Sequence, residues 1–121
     1  MFNVILSTFK FRGQGVVALR GELDLADAPS VAAQLSAAVE AYGPRVIVDL
    51  EDLEYIDSSG LGVLVRVLKK ARGNGGDLPL AAPQGMVRRV LTATGLMGVF
   101  SVYPSLEEAV QASQPPLLTA W

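Results

Sequence analysis

The sequence predicts an α/β domain built on a mixed, mainly parallel sheet, with an antiparallel hairpin at its N-terminal edge and about four helices. Apolar runs and helical patterns follow one another in the order ββαβαβαβα, and strands that alternate with helices pair in parallel. The turn residues 12–15 separate the first two runs, which is typical of an antiparallel hairpin. Half of the 121 residues are hydrophobic, so the chain can form one core.

The N-terminal hairpin is predicted from apolar runs at residues 4–6 and 16–19, with the turn residues 12–15 between them. A first helix follows, with Asp27 as its N-cap and residues 43–44, Gly-Pro, as its stop. Its apolar side chains recur at helical spacing, and they are Val31, Leu35, Ala38, Val39 and Tyr42.

The middle of the chain is predicted to form a buried strand, a loop and an amphipathic helix. Residues 46–48 are a continuous β-branched run, which is typical of a strand covered on both faces. Residues 51–57 are read as an acidic loop, and a second helix begins at Ser58 and ends at the glycine-rich residues 73–76. The core arc of this helix is assigned to Leu61, Leu64, Val65 and Leu68.

The C-terminal part is predicted to add two short strands and two helices. Residues 78–82 form a strand, and residues 86–94 form a helix that Gly95 ends in the left-handed conformation. Residues 99–102 form the last strand. Residues 105–108, Ser-Leu-Glu-Glu, are a capping box that opens a final helix.

Composition limits the classes of function. We expect one domain over residues 1–113 and a flexible tail over residues 114–121, with no secretory signal and no membrane span. The net charge of −2 gives no basic excess for a nucleic-acid ligand. The chain lacks both Cys and His, so we expect no cofactor and no transition-metal site, and we assign the protein to the cytoplasm.

The junction between the acidic loop and the second helix carries the most distinctive residues. Asp57, Ser58, Ser59 and Gly60 follow one another at the helix start, where side-chain oxygens accept hydrogen bonds from free backbone N–H groups. One residue of this kind suffices for a cap, and here there are three. The excess indicates a hydroxyl that is exposed to a partner.

This junction resembles the signature of the STAS domain of anti-sigma factor antagonists. The resemblance is strongest over residues 50–64, and residues 21–24 and 95–96 also fit, so that it extends from about residue 2 to residue 112. It implies a protein that acts by binding and not as an enzyme. In the family, an anti-sigma factor that is also a kinase phosphorylates the serine directly after the Asp, here Ser58. The unphosphorylated form binds that anti-sigma factor and frees a sigma factor, and a serine phosphatase resets the switch.

The expected partner surface surrounds Ser58. Val63 and Val67 fall outside the assigned core arc, so they are read either as an apolar patch facing the partner or as part of a broader buried face. The residues assigned to partner binding are Asp24, Asp57, Ser58, Ser59, Gly60, Gly62, Val63, Arg66 and Val67.

Two catalytic or phosphoacceptor alternatives fit the residues less well. A nucleophilic Ser58 would need a base, and Lys69 and Lys70 lie about three helical turns away. A receiver domain would use Asp57 as phosphoacceptor but needs an acidic pair to hold Mg²⁺ at the end of its first strand, where residues 7–9 read Ser-Thr-Phe.

A third alternative keeps the fold and changes the role. STAS modules also serve as adaptor subunits of lipid-transport ATPase complexes and as parts of stressosome scaffolds. The sequence leaves this alternative open, and it does not identify the partner kinase, the sigma factor or the oligomeric state.

Overall fold

A computed structural model describes residues 3–43 and 45–113, so the expected stop at Pro44 and the tail at residues 114–121 lie outside the described residues. The strands are β1 (Val4–Phe11), β2 (Gln14–Leu23), β3 (Ile47–Asp49), β4 (Leu53–Ile56), β5 (Leu80–Ala81) and β6 (Val102–Tyr103). The helices are α1 (Ala28–Ala41), α2 (Ser58–Gly73), α3 (Gly85–Ala93) and α4 (Leu106–Ser113), and a short 3₁₀ helix spans Leu96–Gly98. None of the helices in these residues is long and apolar enough to cross a bilayer.

The predicted mixed sheet is confirmed. Its strand order is β1-β2-β3-β5-β6, with β1 antiparallel to β2 and the other pairs parallel. The hairpin is longer than expected, because Gln14 and Gly15 belong to β2 and only Arg12 and Gly13 form the turn. Both turn residues have positive φ, 52° and 81°, which matches the right-handed twist of the flanking strands.

The prediction of a loop over residues 51–57 is wrong, because β4 lies within it. Leu53 and Ile56 are buried in the core, and β4 pairs in parallel with the second half of β2. The same edge of β2 pairs with β3 along its first half. The order of elements is therefore ββαββαβαβα, and the consecutive strands β3 and β4 lie end to end along one edge of β2, both parallel to it.

The helices cover the sheet on both faces. α1, α2 and α3 share the main core with one face, and their central buried residues include Val31, Leu35, Leu64, Leu68, Val87 and Leu91. α4 packs on the opposite face, where Ala109 and Val110 contact a smaller cluster formed by Val16, Ile47 and Ala81. Strand residues alternate between the two clusters, since neighbouring side chains of a strand point to opposite faces.

Four polar contacts fix the edges of these layers. Asp77, after α2, accepts hydrogen bonds from Arg72 Nε at 3.1 Å and from Ser101 Oγ at 3.0 Å, and its carboxylate lies 3.6 Å from Arg45 Nη1. Lys70 of α2 pairs with Glu40 of α1 at 3.0 Å. Together, these contacts fix the C-terminal end of α2 against the strands and against α1.

Three helix-end residues were predicted from the sequence. The predictions for Gly95 and Ser105 are confirmed, and the one for Asp27 is corrected. Gly95 has a φ of 78° after α3, and the Ser105 hydroxyl accepts a hydrogen bond from the Glu108 N–H at 3.1 Å at the start of α4. Asp27 precedes α1, but its side chain makes no cap bond. Its Oδ2 instead accepts a hydrogen bond from the backbone N–H of Asn3 at 3.3 Å, which links the N-terminal segment to α1.

The last strand begins later than the predicted residues 99–102. Residues 96–98 continue from α3 as the 3₁₀ helix, and Val99 is exposed. β6 contains only Val102 and Tyr103, which pair with Leu80 and Ala81 of β5.

Candidate functional site

The start of α2 is built around the carboxylate of Asp57. β4 ends at Ile56, and Asp57 keeps an extended backbone with φ −104° and ψ −175°. Its Oδ1 accepts a hydrogen bond from the Gly60 N–H at 3.0 Å, and its carbonyl accepts one from Leu61 at 3.0 Å. Of the residues at the helix start that could serve as a cap, Asp57 is therefore the N-cap, and Ser58 is not needed for that role.

Asp57 also ties α2 to the loop that follows β2. Its Oδ2 accepts a hydrogen bond from the backbone N–H of Leu25 at 3.1 Å, and its own N–H donates to the carbonyl of Leu23 at 3.2 Å. Asp24 holds the same loop, because its Oδ1 accepts from the Ala26 N–H at 3.0 Å. The two segments predicted to meet the partner, around Asp24 and around Ser58, are therefore joined through one side chain.

The two serines differ in access. Ser58 is the first residue of α2 and is exposed, whereas Ser59 is half-buried. Across residues 3–43 and 45–113, no hydrogen bond to another residue engages the Ser58 hydroxyl. Ser58 is therefore the hydroxyl that another protein's active site can reach more easily.

A groove of about 350 Å³ runs between α1 and α2 beside Ser58. Small or short side chains form it: Ala28, Pro29 and Ala32 on α1, and Gly62 and Val63 on α2. Arg66 is exposed and also lines it. A Cβ added to Gly62 meets no atom within 4 Å, so the missing side chain leaves open space at the surface.

Gly60 lies at a tightly packed position, whereas Gly62 faces open space. A Cβ at this position would lie 2.8 Å from Leu23 Cγ and 2.8 Å from Ile56 Cγ1. Glycine at position 60 therefore allows the first turn of α2 to approach β2 and β4 closely, which brings Ser58 near the Leu25 loop.

Of the two readings of Val63 and Val67, the broader buried face is confirmed and the exposed patch is wrong. Only 2% of Val63 and 3% of Val67 are exposed, and both pack in the main core. α2 is covered by α1 as well as by the sheet, so its buried face is broader than the predicted arc, and Leu61 and Val65 are only half-buried at its borders. Val63 lines the groove from beneath, while Val67 does not reach it.

Sequence analysis missed one conspicuous residue. Leu25 is exposed between the groove and a second recess, which Glu22, Asp24, Tyr55 and Asp57 line. A single leucine in a turn has no periodicity, so the sequence pattern carried no signal for it. Within the described residues, no group of three or more carboxylates is placed to hold a metal ion.

Known proteins with similar sequences and similar folds identify the family of this chain. The STAS domain model matches residues 8–109. The anti-sigma-B factor antagonist of Bacillus subtilis is 33% identical over 95 residues, which cover 78% of this chain and 86% of that protein. The crystal structure of an anti-sigma factor antagonist from Mycobacterium paratuberculosis has a TM-score of 0.80 and 30% identity, covering 90% of this chain and 92% of the other.

Two further structures show one relative in two states. The anti-sigma factor antagonist SpoIIAA in its unphosphorylated form has a TM-score of 0.76 with 26% identity, covering 90% of this chain and 96% of that chain. The phosphorylated form of Bacillus SpoIIAA has a TM-score of 0.70 with 26% identity, covering 91% and 100%. With a family match over most of its length and these relatives, the chain belongs to the STAS domain family.

Proposed function

We propose that this chain is an anti-sigma factor antagonist whose unphosphorylated form binds an anti-sigma factor that is also a serine kinase, and so releases a sigma factor. Ser58 is the phosphoacceptor, and a serine phosphatase restores the binding form. The protein acts by binding and works in the cytoplasm, where sigma factors meet RNA polymerase. One observation carries the proposal: Ser58 is exposed at the first position of α2 while Asp57 caps the helix.

The proposed interface surrounds that hydroxyl. Ser59, Gly62 and Arg66 line the groove beside Ser58, and Asp24 lies in the neighbouring recess. Gly60 and Val63 support this surface from within the fold, and Asp57 links its two halves. Val67 takes no part, because it is buried away from the groove.

The charge on a phosphate explains the direction of the switch. A phosphate adds about −1.5 to −2 charges at the helix N-terminus, where the helix dipole favours negative charge by about 0.3–1 kcal/mol. The fold is therefore retained, and the phosphorylated and unphosphorylated SpoIIAA structures both superpose on this chain. In a docked complex the same phosphate lies next to Asp57 and adds bulk, like-charge repulsion and desolvation cost. Binding is lost locally, without refolding.

The phosphorylation step can be tested by mass spectrometry. The protein is incubated with ATP and each anti-sigma kinase of its own organism, and the peptide that contains residues 57–60 is sequenced. We expect one phosphate on Ser58 in the wild type and in Ser59→Ala, and none in Ser58→Ala. Phosphate on Ser59 alone, or no modification by any such kinase, would contradict the assignment.

The binding step can be tested by titration of the same kinase with ADP present. Ser58→Ala is expected to bind as the wild type does, whereas Ser58→Asp is expected to bind about a hundredfold more weakly, a loss of about 2.8 kcal/mol. The amide spectrum of Ser58→Asp should change only near residue 58. A change across the whole spectrum would show that the switch acts by refolding. Capture of a lipid-transport ATPase subunit instead of a kinase would favour an adaptor role.

A further inference from the structure

Leu25 has the largest exposed fraction among the large apolar side chains of the described residues. It is 71% exposed, whereas Ile5, the next in order, is 52% exposed. Isolated apolar side chains on a surface are common and need no explanation by themselves. Leu25 differs in two respects: hydrogen bonds hold its backbone in place, and its side chain borders the groove that contains Ser58.

The backbone around Leu25 is fixed on both sides. Its N–H donates to Asp57 Oδ2 at 3.1 Å, and the next N–H, of Ala26, donates to Asp24 Oδ1 at 3.0 Å. The carbonyl of Asp24 accepts hydrogen bonds from Asp27 at 3.2 Å and from Ala28 at 3.0 Å. The loop therefore presents an apolar side chain in a defined place, and a preorganised group loses less conformational entropy on binding.

Leu25 also borders the phosphoacceptor site. It lines the groove that contains Ser58, Gly62 and Arg66, and it lines the acidic recess on its other side. A kinase that places its active site over Ser58 covers this part of the surface. The side chain of Leu25 is then removed from water or is left facing a polar group of the partner.

We propose that Leu25 is the apolar anchor by which the anti-sigma kinase docks, and that Asp57 is a positioning residue that holds Leu25 for docking. This inference rests on the proposed function. The proposal requires that the kinase has an apolar pocket next to its active site, large enough for one leucine side chain. Asp57 thereby links the docking residue to the residue that is phosphorylated.

The anchor is tested with Leu25→Ala, and Val99→Ala serves as a matched control. Val99 is a 44% exposed apolar residue whose carbonyl accepts from Arg72 near the other end of α2. For Leu25→Ala we expect a Kd for the kinase about tenfold higher, a KM for Ser58 phosphorylation raised in proportion, and an unchanged kcat. Val99→Ala and the conservative Leu25→Met should behave as the wild type, and thermal unfolding should be unchanged in all three.

The positioning role of Asp57 is tested by a double-mutant cycle. Asp57→Asn keeps an acceptor for Gly60 and replaces the oxygen that accepts from Leu25 by an amide. We expect it to weaken binding in the wild-type background and to have little further effect in the Leu25→Ala background, because both changes remove the same contact. Amide hydrogen exchange at Leu25 should be faster in Asp57→Asn. Additive losses, or unchanged exchange, would show that Asp57 acts only on helix stability.

The outcomes separate this inference from the proposed function. If Leu25→Ala binds and is phosphorylated as the wild type is, while Ser58→Asp still loses binding, the anchor is refuted and the switch stands. If the wild type neither binds nor is phosphorylated by any anti-sigma kinase of its organism, both proposals are refuted.

Discussion

Two glycines in the first turns of α2 should respond oppositely to the same substitution. Gly62→Ala adds a methyl group where nothing lies within 4 Å, so the helix gains up to about 1 kcal/mol from the better propensity of alanine. Gly60→Ala places its methyl group 2.8 Å from side-chain carbons of Leu23 and Ile56 and 3.0 Å from the Leu23 carbonyl oxygen. Overpacking of this kind costs about 1–3 kcal/mol. The two variants should therefore differ by about 1–4 kcal/mol in free energy of unfolding.

Urea denaturation followed by circular dichroism measures this difference, since a shift in midpoint at constant slope reports stability alone. We expect the midpoint of Gly62→Ala to lie above that of the wild type and the midpoint of Gly60→Ala to lie below it. If Gly60→Ala were as stable as Gly62→Ala, the first turn of α2 would not pack against β2 and β4 as described. The position of Ser58 near the Leu25 loop could then no longer be explained by a close approach at Gly60.

Three further predictions concern charged side chains. Burial raises the pKa of Asp49 above its ordinary value. The contribution of Asp49 to stability is therefore fully present below the ordinary pKa, where the carboxyl is protonated in both states, and is lost as pH rises through the raised pKa of the folded state. In unfolding titrations, Asp49→Asn should therefore stabilise the protein more at about pH 7 than at about pH 4. Asp77→Asn weakens the contact with Arg72 and should lower the urea midpoint by an amount that corresponds to about 1–2 kcal/mol. Glu40→Gln removes a solvent-exposed pair with Lys70 and should change the free energy of unfolding by less than about 0.5 kcal/mol, a difference that should shrink as salt is added.

Local sequence signals predicted the parts of the fold that short-range physics determines. The hairpin, the cap at Asp57, the left-handed Gly95 and the cap at Ser105 each depend on residues within a few positions of one another. The exposed hydroxyl at the start of α2 was predicted in the same way, from the run of capping residues that begins at Asp57, whereas its proposed phosphorylation came from the family resemblance. These features could be predicted from the sequence because neighbouring residues determine each of them.

β4 was missed because its cause lies elsewhere in the chain. Its four residues are Leu-Glu-Tyr-Ile, with buried ends and an exposed middle, so they lack the alternation of a half-buried strand. They become a strand because the second half of β2 offers an unpaired edge there. No window of sequence around residue 54 contains that information.

The surface beside Ser58 was partly misjudged for a similar reason. The helical pattern showed which face of α2 is apolar but not that α1 covers an additional part of it, so Val63 and Val67 were read as possible surface residues. The pattern gave no signal for Leu25, because its backbone N–H donates a hydrogen bond to Asp57, which lies 32 positions away in the chain.

The shared edge of β2 has a consequence for synthesis of the protein. The hairpin can form once residue 23 has left the ribosome, but the second half of the other edge of β2 stays open until residues 53–56 emerge. Closing that edge joins two strands that α1 and β3 separate along the chain, which carries an entropic cost of loop closure. The Leu25 loop and Ser58 are brought together only by that closure. Nascent or partly unfolded chains therefore lack the complete surface around Ser58.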